Sequence, residues 1–208
     1  MTVTRRPETD APDTGRLARL ARTPLPAPPE ALRVGPLREG AFPSRLHDVA
    51  NAAWLGTLLG IAFTVCMVTG WYSHLLQNQP DWLTVPSRPV DLYRWSQGLH
   101  VTTGLACVPL LLAKLWVVYP KLFVWPPARD LGHAVSRGSL LLLVGGAVFQ
   151  LSTGVANVAK WYPFGFSFTA THYWVGWITI GALFLHVAAH GAQAWAAMRS
   201  SWTDGARG

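Results

Sequence analysis

The run HYWVGWITIGALFLHVAAH, His172 to His190, decides how the chain is read: it is apolar throughout, carries no Asp, Glu, Lys or Arg, and yet holds three histidines. An imidazole in hydrocarbon costs free energy unless its ring nitrogens find partners. The run is long enough for a membrane helix, so the histidines need partners inside the bilayer.

Three further stretches are equally free of Asp, Glu, Lys and Arg: Val49 to Pro80, Trp95 to Ala113 and Gly138 to Ala159, beside the full fourth run Trp161 to Met198. Each covers the roughly 20 residues that cross a ~30 Å hydrocarbon core as a helix. With 50% hydrophobic and only 13% charged residues in 208, and eleven tryptophans, the composition fits a small membrane protein better than a water-soluble domain. The expected fold class is therefore all-α, an integral membrane four-helix bundle. Its spans are placed near His47 to Tyr72, Trp95 to Tyr119, Ser136 to Val158 and Thr171 to Trp195. Trp71, Trp95, Trp125, Trp161, Tyr173 and Trp195 stand near their ends, as an interfacial aromatic belt requires.

Lys and Arg set the orientation. Eight lie before the first span, three in the 119–138 connection and two in the C-terminal tail, against two in the 73–94 connection and one in the 159–170 connection. The positive-inside rule then puts both termini in the cytoplasm. The net charge of +7 is accounted for by a basic surface beside anionic lipid, without nucleic acid. Residues 1–40, rich in Pro, Arg, Ala and acids, are expected to be disordered. The four-span domain occupies 41–198, and 199–208 form a tail. The first span is expected to serve as the insertion signal in the inner membrane. Cys66 and Cys107 fall inside spans one and two, so they are no secreted disulfide framework, and no C-x-x-C-H for covalent haem attachment is present. No internal repeat is evident.

Fourteen helical residues advance about 21 Å and turn about 1400°, so His172 and His186 share one face of span four at two depths. Partners must come from other spans at matching depth. His100, near the outer end of span two, is level with His172, and His47, at the cytoplasmic start of span one, is roughly level with the inner histidines. Two crosswise pairs result, which is the pattern expected of bis-histidine haem ligation at two levels. Depth leaves the inner choice between His186 and His190 open, because His190 lies about 27 Å below His172 on the same face. His74, in an outer loop, is a spare ligand, and His133 lies in the basic inner loop. Lys114, the one charge within a span away from its ends, either meets an inner haem propionate or snorkels to the interface. Gly98, Gly104, Gly176, Gly181 and Ala182 would let a flat macrocycle approach the helix backbones.

This crosswise pattern resembles the cytochrome b subunits of membrane formate dehydrogenases and nickel-iron hydrogenases. Closer still, FPSRLHD (42–48), LYRWSQGLHVTTGLACVPLLLAKLWVVYPKLFVWPP (92–127), SLLLLVGGAVFQLSTGVANVAKWYPFGFSF (139–168) and THYWVGWITIGALFLHV (171–187) are similar to bacterial b-type cytochromes encoded beside, or fused to, sulfite-oxidase-like molybdopterin oxidoreductases. The resemblance implies His47 with His186 and His100 with His172 as ligands of two b-type haems, and so favours His186 over His190. It implies a multi-pass subunit of the bacterial inner membrane that passes electrons between an extracytoplasmic redox partner and a quinone or second redox protein. The cytoplasmic rim near His190, Lys114 and His133 offers proton-exchanging groups for a quinone.

No nucleophile with its base, Gly-rich phosphate loop or C-x-x-C cluster is present, so the chain is expected to act as a subunit and not as an enzyme alone. The alternative is a haem-free membrane anchor or assembly subunit, in which the same spans serve only packing. A transporter is disfavoured, because the spans hold no Asp or Glu beyond Asp48 at the rim.

Overall fold

A computed structural model describes residues 27–38, 40–84, 88–126 and 130–205. Residues 1–26, most of the segment expected to be disordered, lie outside it. The described residues form five helices and no strand: α1 (Glu30–Arg33), α2 (Val49–Gln77), α3 (Leu92–Leu122), α4 (Leu131–Val158) and α5 (Phe168–Gly205). The last four are long and apolar enough to cross a membrane, as expected, and form an all-helical bundle.

The ends are set by local chemistry. Asp48 caps α2 by accepting from the backbone N–H groups of Ala50 and Asn51, and Asp130 caps α4 by accepting from His133 N at 2.8 Å. Both acids sit at the positive end of a helix dipole. Arg137 of α4 closes the far end of α3, with Nη1 donating to the carbonyls of Lys121 (3.0 Å) and Leu122 (3.3 Å) and Nη2 to Val124 (2.8 Å). Carbonyls left over after the last turn need such donors. At the end of α4, Lys160 N bonds Asn157 O and Trp161 N bonds Ala156 O, with Lys160 in the left-handed region at φ 53°. That is a Schellman motif without its usual glycine.

α2 packs mainly on α3, α4 mainly on α5, and α2 also on α5, while α3 and α4 touch more lightly. The four helices thus form a ring in which α2 faces α4, and α3 faces α5, across a diagonal. Contacts between Tyr119 Oη and Pro36 O (2.6 Å), and between the stacked rings of Trp54 and Trp202 (6.1 Å), bring both terminal segments to one end. The centre is a cluster of Leu59, Cys107, Leu111 and Ala147, whereas Ile61, Leu112, Leu141 and Phe184 are exposed. An inside-out distribution of this kind is what lipid solvation permits. Gly146 marks a close approach of α4 to α5, since a Cβ there would collide with the Thr179 side chain.

Three expectations differ in detail. α5 continues through Gly205, past the Trp195 end expected for span four and into the segment expected as a tail, where Trp202 stacks on Trp54 of α2 and tertiary packing outweighs the weak helix propensity of Ser200, Ser201 and their neighbours. His74, expected in a loop, stands in the last turn of α2, and His133, expected in the inner loop, in the first turn of α4. Tyr173, near the start of α5, stacks on His74, with centroids 3.6 Å apart.

Candidate functional site

At the end of the bundle opposite the termini, the ring of helices opens into a cavity of about 270 Å³ lined by all four long helices. His100 enters it from α3 and His172 from α5, across the diagonal. Their ring centroids are 6.2 Å apart and their planes 72° to each other. Of the expected pairs, this one is brought together.

The two rings are held in the same way. His100 Nδ1 lies 3.2 Å from Thr69 Oγ1 and 3.0 Å from the carbonyl of Cys66, both on α2. His172 Nδ1 lies 3.0 Å from Thr153 Oγ1 on α4. Each threonine hydroxyl has a carbonyl one turn back for its own proton, Val65 O at 2.7 Å and Phe149 O at 2.8 Å. Each oxygen can then accept from the ring, an arrangement that would put the proton on Nδ1 and leave the lone pair on Nε2. Neither Nε2 has a hydrogen-bonded partner among the described residues, nor is either sealed from space as an orphan.

A glycine follows each threonine. A Cβ on Gly70 would stand 3.0 Å from His100 Cε1, and one on Gly154 3.6 Å from His172 Cε1. The Thr-Gly pair of α2 thus seats the histidine of α3, and the Thr-Gly pair of α4 the histidine of α5. These four residues were not singled out in the sequence, where the signal was a two-residue recurrence in spans one and three. Of the small residues that were, Gly104 and Gly176 line the cavity, Ala182 is buried, and Gly98 and Gly181 face open space. Gln150, also on the wall, has a buried Oε1 without a partner. His74 borders the same cavity, its ring face covered by Tyr173 and its Nδ1 3.4 Å from Asn78 Nδ2.

Toward the terminal end the histidines are arranged differently. His47 packs on Trp116 of α3 at 5.7 Å between centroids. His186 lies beside His190, at 5.0 Å. No ring contact joins His47 to His186 among the described residues. Both nevertheless carry a buried, unpartnered nitrogen: His47 Nε2 and His186 Nδ1. His190 is exposed, with Nε2 3.2 Å from Ser136 Oγ. Lys114 reaches across to donate to the Ala52 carbonyl in the first turns of α2, in space left by Gly56. Its ammonium is thereby drawn toward the terminal rim, the direction of snorkelling.

No group of three or more His, Cys, Asp or Glu side chains suited to a bare metal ion occurs among the described residues. The chain matches none of the protein families, curated proteins or solved structures with which it was compared.

Proposed function

We propose that the chain is a b-type cytochrome subunit of the bacterial inner membrane, with two bis-histidine haem sites stacked across the bilayer. The observation that carries this reading is the pair His100 and His172: two imidazoles from facing helices, each pinned through Nδ1, each with Nε2 left for a ligand. Two imidazoles bound through nitrogen to opposite sides of one metal, at about 2 Å per bond, stand roughly 6 Å apart between ring centres. The 6.2 Å separation fits. So does the donor set, because a porphyrin iron asks only two axial ligands of the protein. The walls fit as well, since Gly70, Gly104, Gly154 and Gly176 line the cavity and Gly70 and Gly154 give the two imidazoles room.

The inner site in this reading uses His47 and His186. Its support is that both rings carry a buried nitrogen without a hydrogen-bond partner, His47 Nε2 and His186 Nδ1, a cost that rearrangement of the site on binding would relieve. The same reasoning favours His186 over His190, whose Nε2 already has Ser136 as a partner. His74, with its ring face covered, remains the weaker alternative at the outer level.

Bound haem would supply a one-electron couple at each level. The chain's part is to bind and orient. His100 and His172 would hold the outer haem, Thr69 and Thr153 would hold the rings, and the apolar helices would exclude water. With the terminal, Arg- and Lys-rich end in the cytoplasm, the cavity faces the outer side. There an extracytoplasmic redox partner would dock, such as the molybdopterin oxidoreductase suggested by the resemblance. A quinone or second redox protein would exchange electrons at the other end, where His190, Lys114 and His133 line the rim. The test is haem quantification and a reduced-minus-oxidised spectrum on the purified full chain. Two b-type haems per chain are expected. A colourless protein, purified after expression with ample haem supply, would refute the reading and leave the haem-free anchor.

A further inference from the structure

We propose that Thr153 is a positioning residue that selects the tautomer of His172, and that the matched Thr69 shares this task at His100 with the Cys66 carbonyl. The proposal rests on the reading of these histidines as ligands, but its first test does not require haem.

A neutral histidine in a membrane can carry its proton on either nitrogen, and only the Nδ1–H form presents Nε2 as a ligand. A threonine hydroxyl can ordinarily donate to or accept from the ring, so it does not by itself select the form. Here the choice is removed one step back. Thr69 and Thr153, both buried, each have a carbonyl four residues earlier at 2.7 and 2.8 Å to take the hydroxyl proton. The oxygen then faces Nδ1 as an acceptor. The hydroxyl is thus more than helix back-bonding. Thr57, Thr64 and Thr179 make the same bond one turn back, and none of them meets a histidine.

The two sites are not equally protected. His100 Nδ1 has a second acceptor in the Cys66 carbonyl at 3.0 Å, which no side-chain substitution removes. Among the described residues His172 Nδ1 has Thr153 alone. Thr69→Val should therefore leave the tautomer of His100 largely in place, whereas Thr153→Val, of nearly the same shape, should free His172 to protonate on either nitrogen. In a loaded protein, loss of the acceptor also makes the imidazole a poorer electron donor, which raises the midpoint potential.

The experiment compares wild type, Thr69→Val, Thr153→Val, Thr153→Ser and the lipid-facing control Thr64→Val as full chains in detergent. Histidine 15N NMR is recorded on haem-free material, and redox titration with low-spin EPR on haem-reconstituted material. Expected are Nδ1–H forms of His100 and His172 in wild type and a mixed His172 signal in Thr153→Val. In the loaded protein Thr153→Val should lose about tenfold in haem retention and shift its potential upward. Thr153→Ser should restore both readouts, Thr64→Val should leave both near wild type, and Thr69→Val should move them less than Thr153→Val does. An unchanged His172 tautomer together with an unchanged potential in Thr153→Val overturns the proposal, even if haem binds. Haem-free protein with the expected tautomer pattern, but unable to take up haem, supports the positioning role and refutes the haem reading.

Discussion

Gly146→Ala should force α4 and α5 apart, and the damage should be repaired by Thr179→Ala. A Cβ on Gly146 runs into the Thr179 side chain at its hydroxyl oxygen first, then meets Cβ at 3.2 Å and Cγ2 at 3.4 Å. Thr179 cannot swing aside: it is buried, branched at Cβ, and holds its hydroxyl on Val175 O at 2.8 Å. Restoring ordinary contact requires the helices to part by about 1 Å. Overpacking of this kind costs about 1–3 kcal/mol, and the helical preference of Ala over Gly returns up to about 1 kcal/mol. With the full return, the net loss should be up to about 2 kcal/mol. The same movement would lengthen the Thr153–His172 bond from 3.0 Å beyond the hydrogen-bonding limit of about 3.5 Å. Thermal unfolding in detergent, followed by tryptophan fluorescence, gives the stability of Gly146→Ala, Thr179→Ala and the double variant. The cycle should show the double variant more stable than Gly146→Ala alone by at least about 1 kcal/mol. If the two changes simply add, the α4–α5 approach described here is wrong.

Three further outcomes follow from local geometry. Gly70→Ala should disturb the His100 seat, because its Cβ falls 3.0 Å from the ring, whereas Gly154→Ala, at 3.6 Å from His172, should be tolerated; indistinguishable melting and histidine NMR spectra for the two would contradict this. Arg137→Ala should cost about 2 kcal/mol through loss of charge-assisted bonds to three carbonyls at the end of α3, and Arg137→Lys should recover less than half, since an ammonium lacks the fork; full recovery by lysine in the same melting assay would count against the cap. Lys160→Gly should stabilise by about 1 kcal/mol, because residue 160 is left-handed, and a lower melting temperature would argue against the Schellman end.

The four helices were legible because a charge-free stretch of membrane length has few other ways to satisfy its backbone. The depth match of His100 with His172 was legible too, since helical rise converts sequence distance into depth. What held those rings was not. A threonine inside an apolar span reads as a residue bonded to its own helix, which Thr69 and Thr153 are, and nothing in a single span tells that the oxygen's other side meets a histidine on the next helix. The Thr-Gly recurrence on α2 and α4 is too short to stand out as a repeat, and it acquires meaning only once the ring order of the helices is known. His74 was misplaced because turn residues begin only at Asn78 and Pro80, so the helix runs on past Tyr72. His47 and His186 share the terminal half of the bundle but not a ring contact, because His47 sits ahead of the Asp48 cap, where the chain turns its ring onto Trp116. Depth arguments hold within helices and weaken at such entries.

The most direct measurement of the central claim is haem per chain in purified wild type, His100→Ala and His172→Ala, taken beside Thr64→Val as a folding control. Each histidine variant should lose one haem of two and keep the other. Full pigment with an unaltered redox spectrum in both variants would contradict the account.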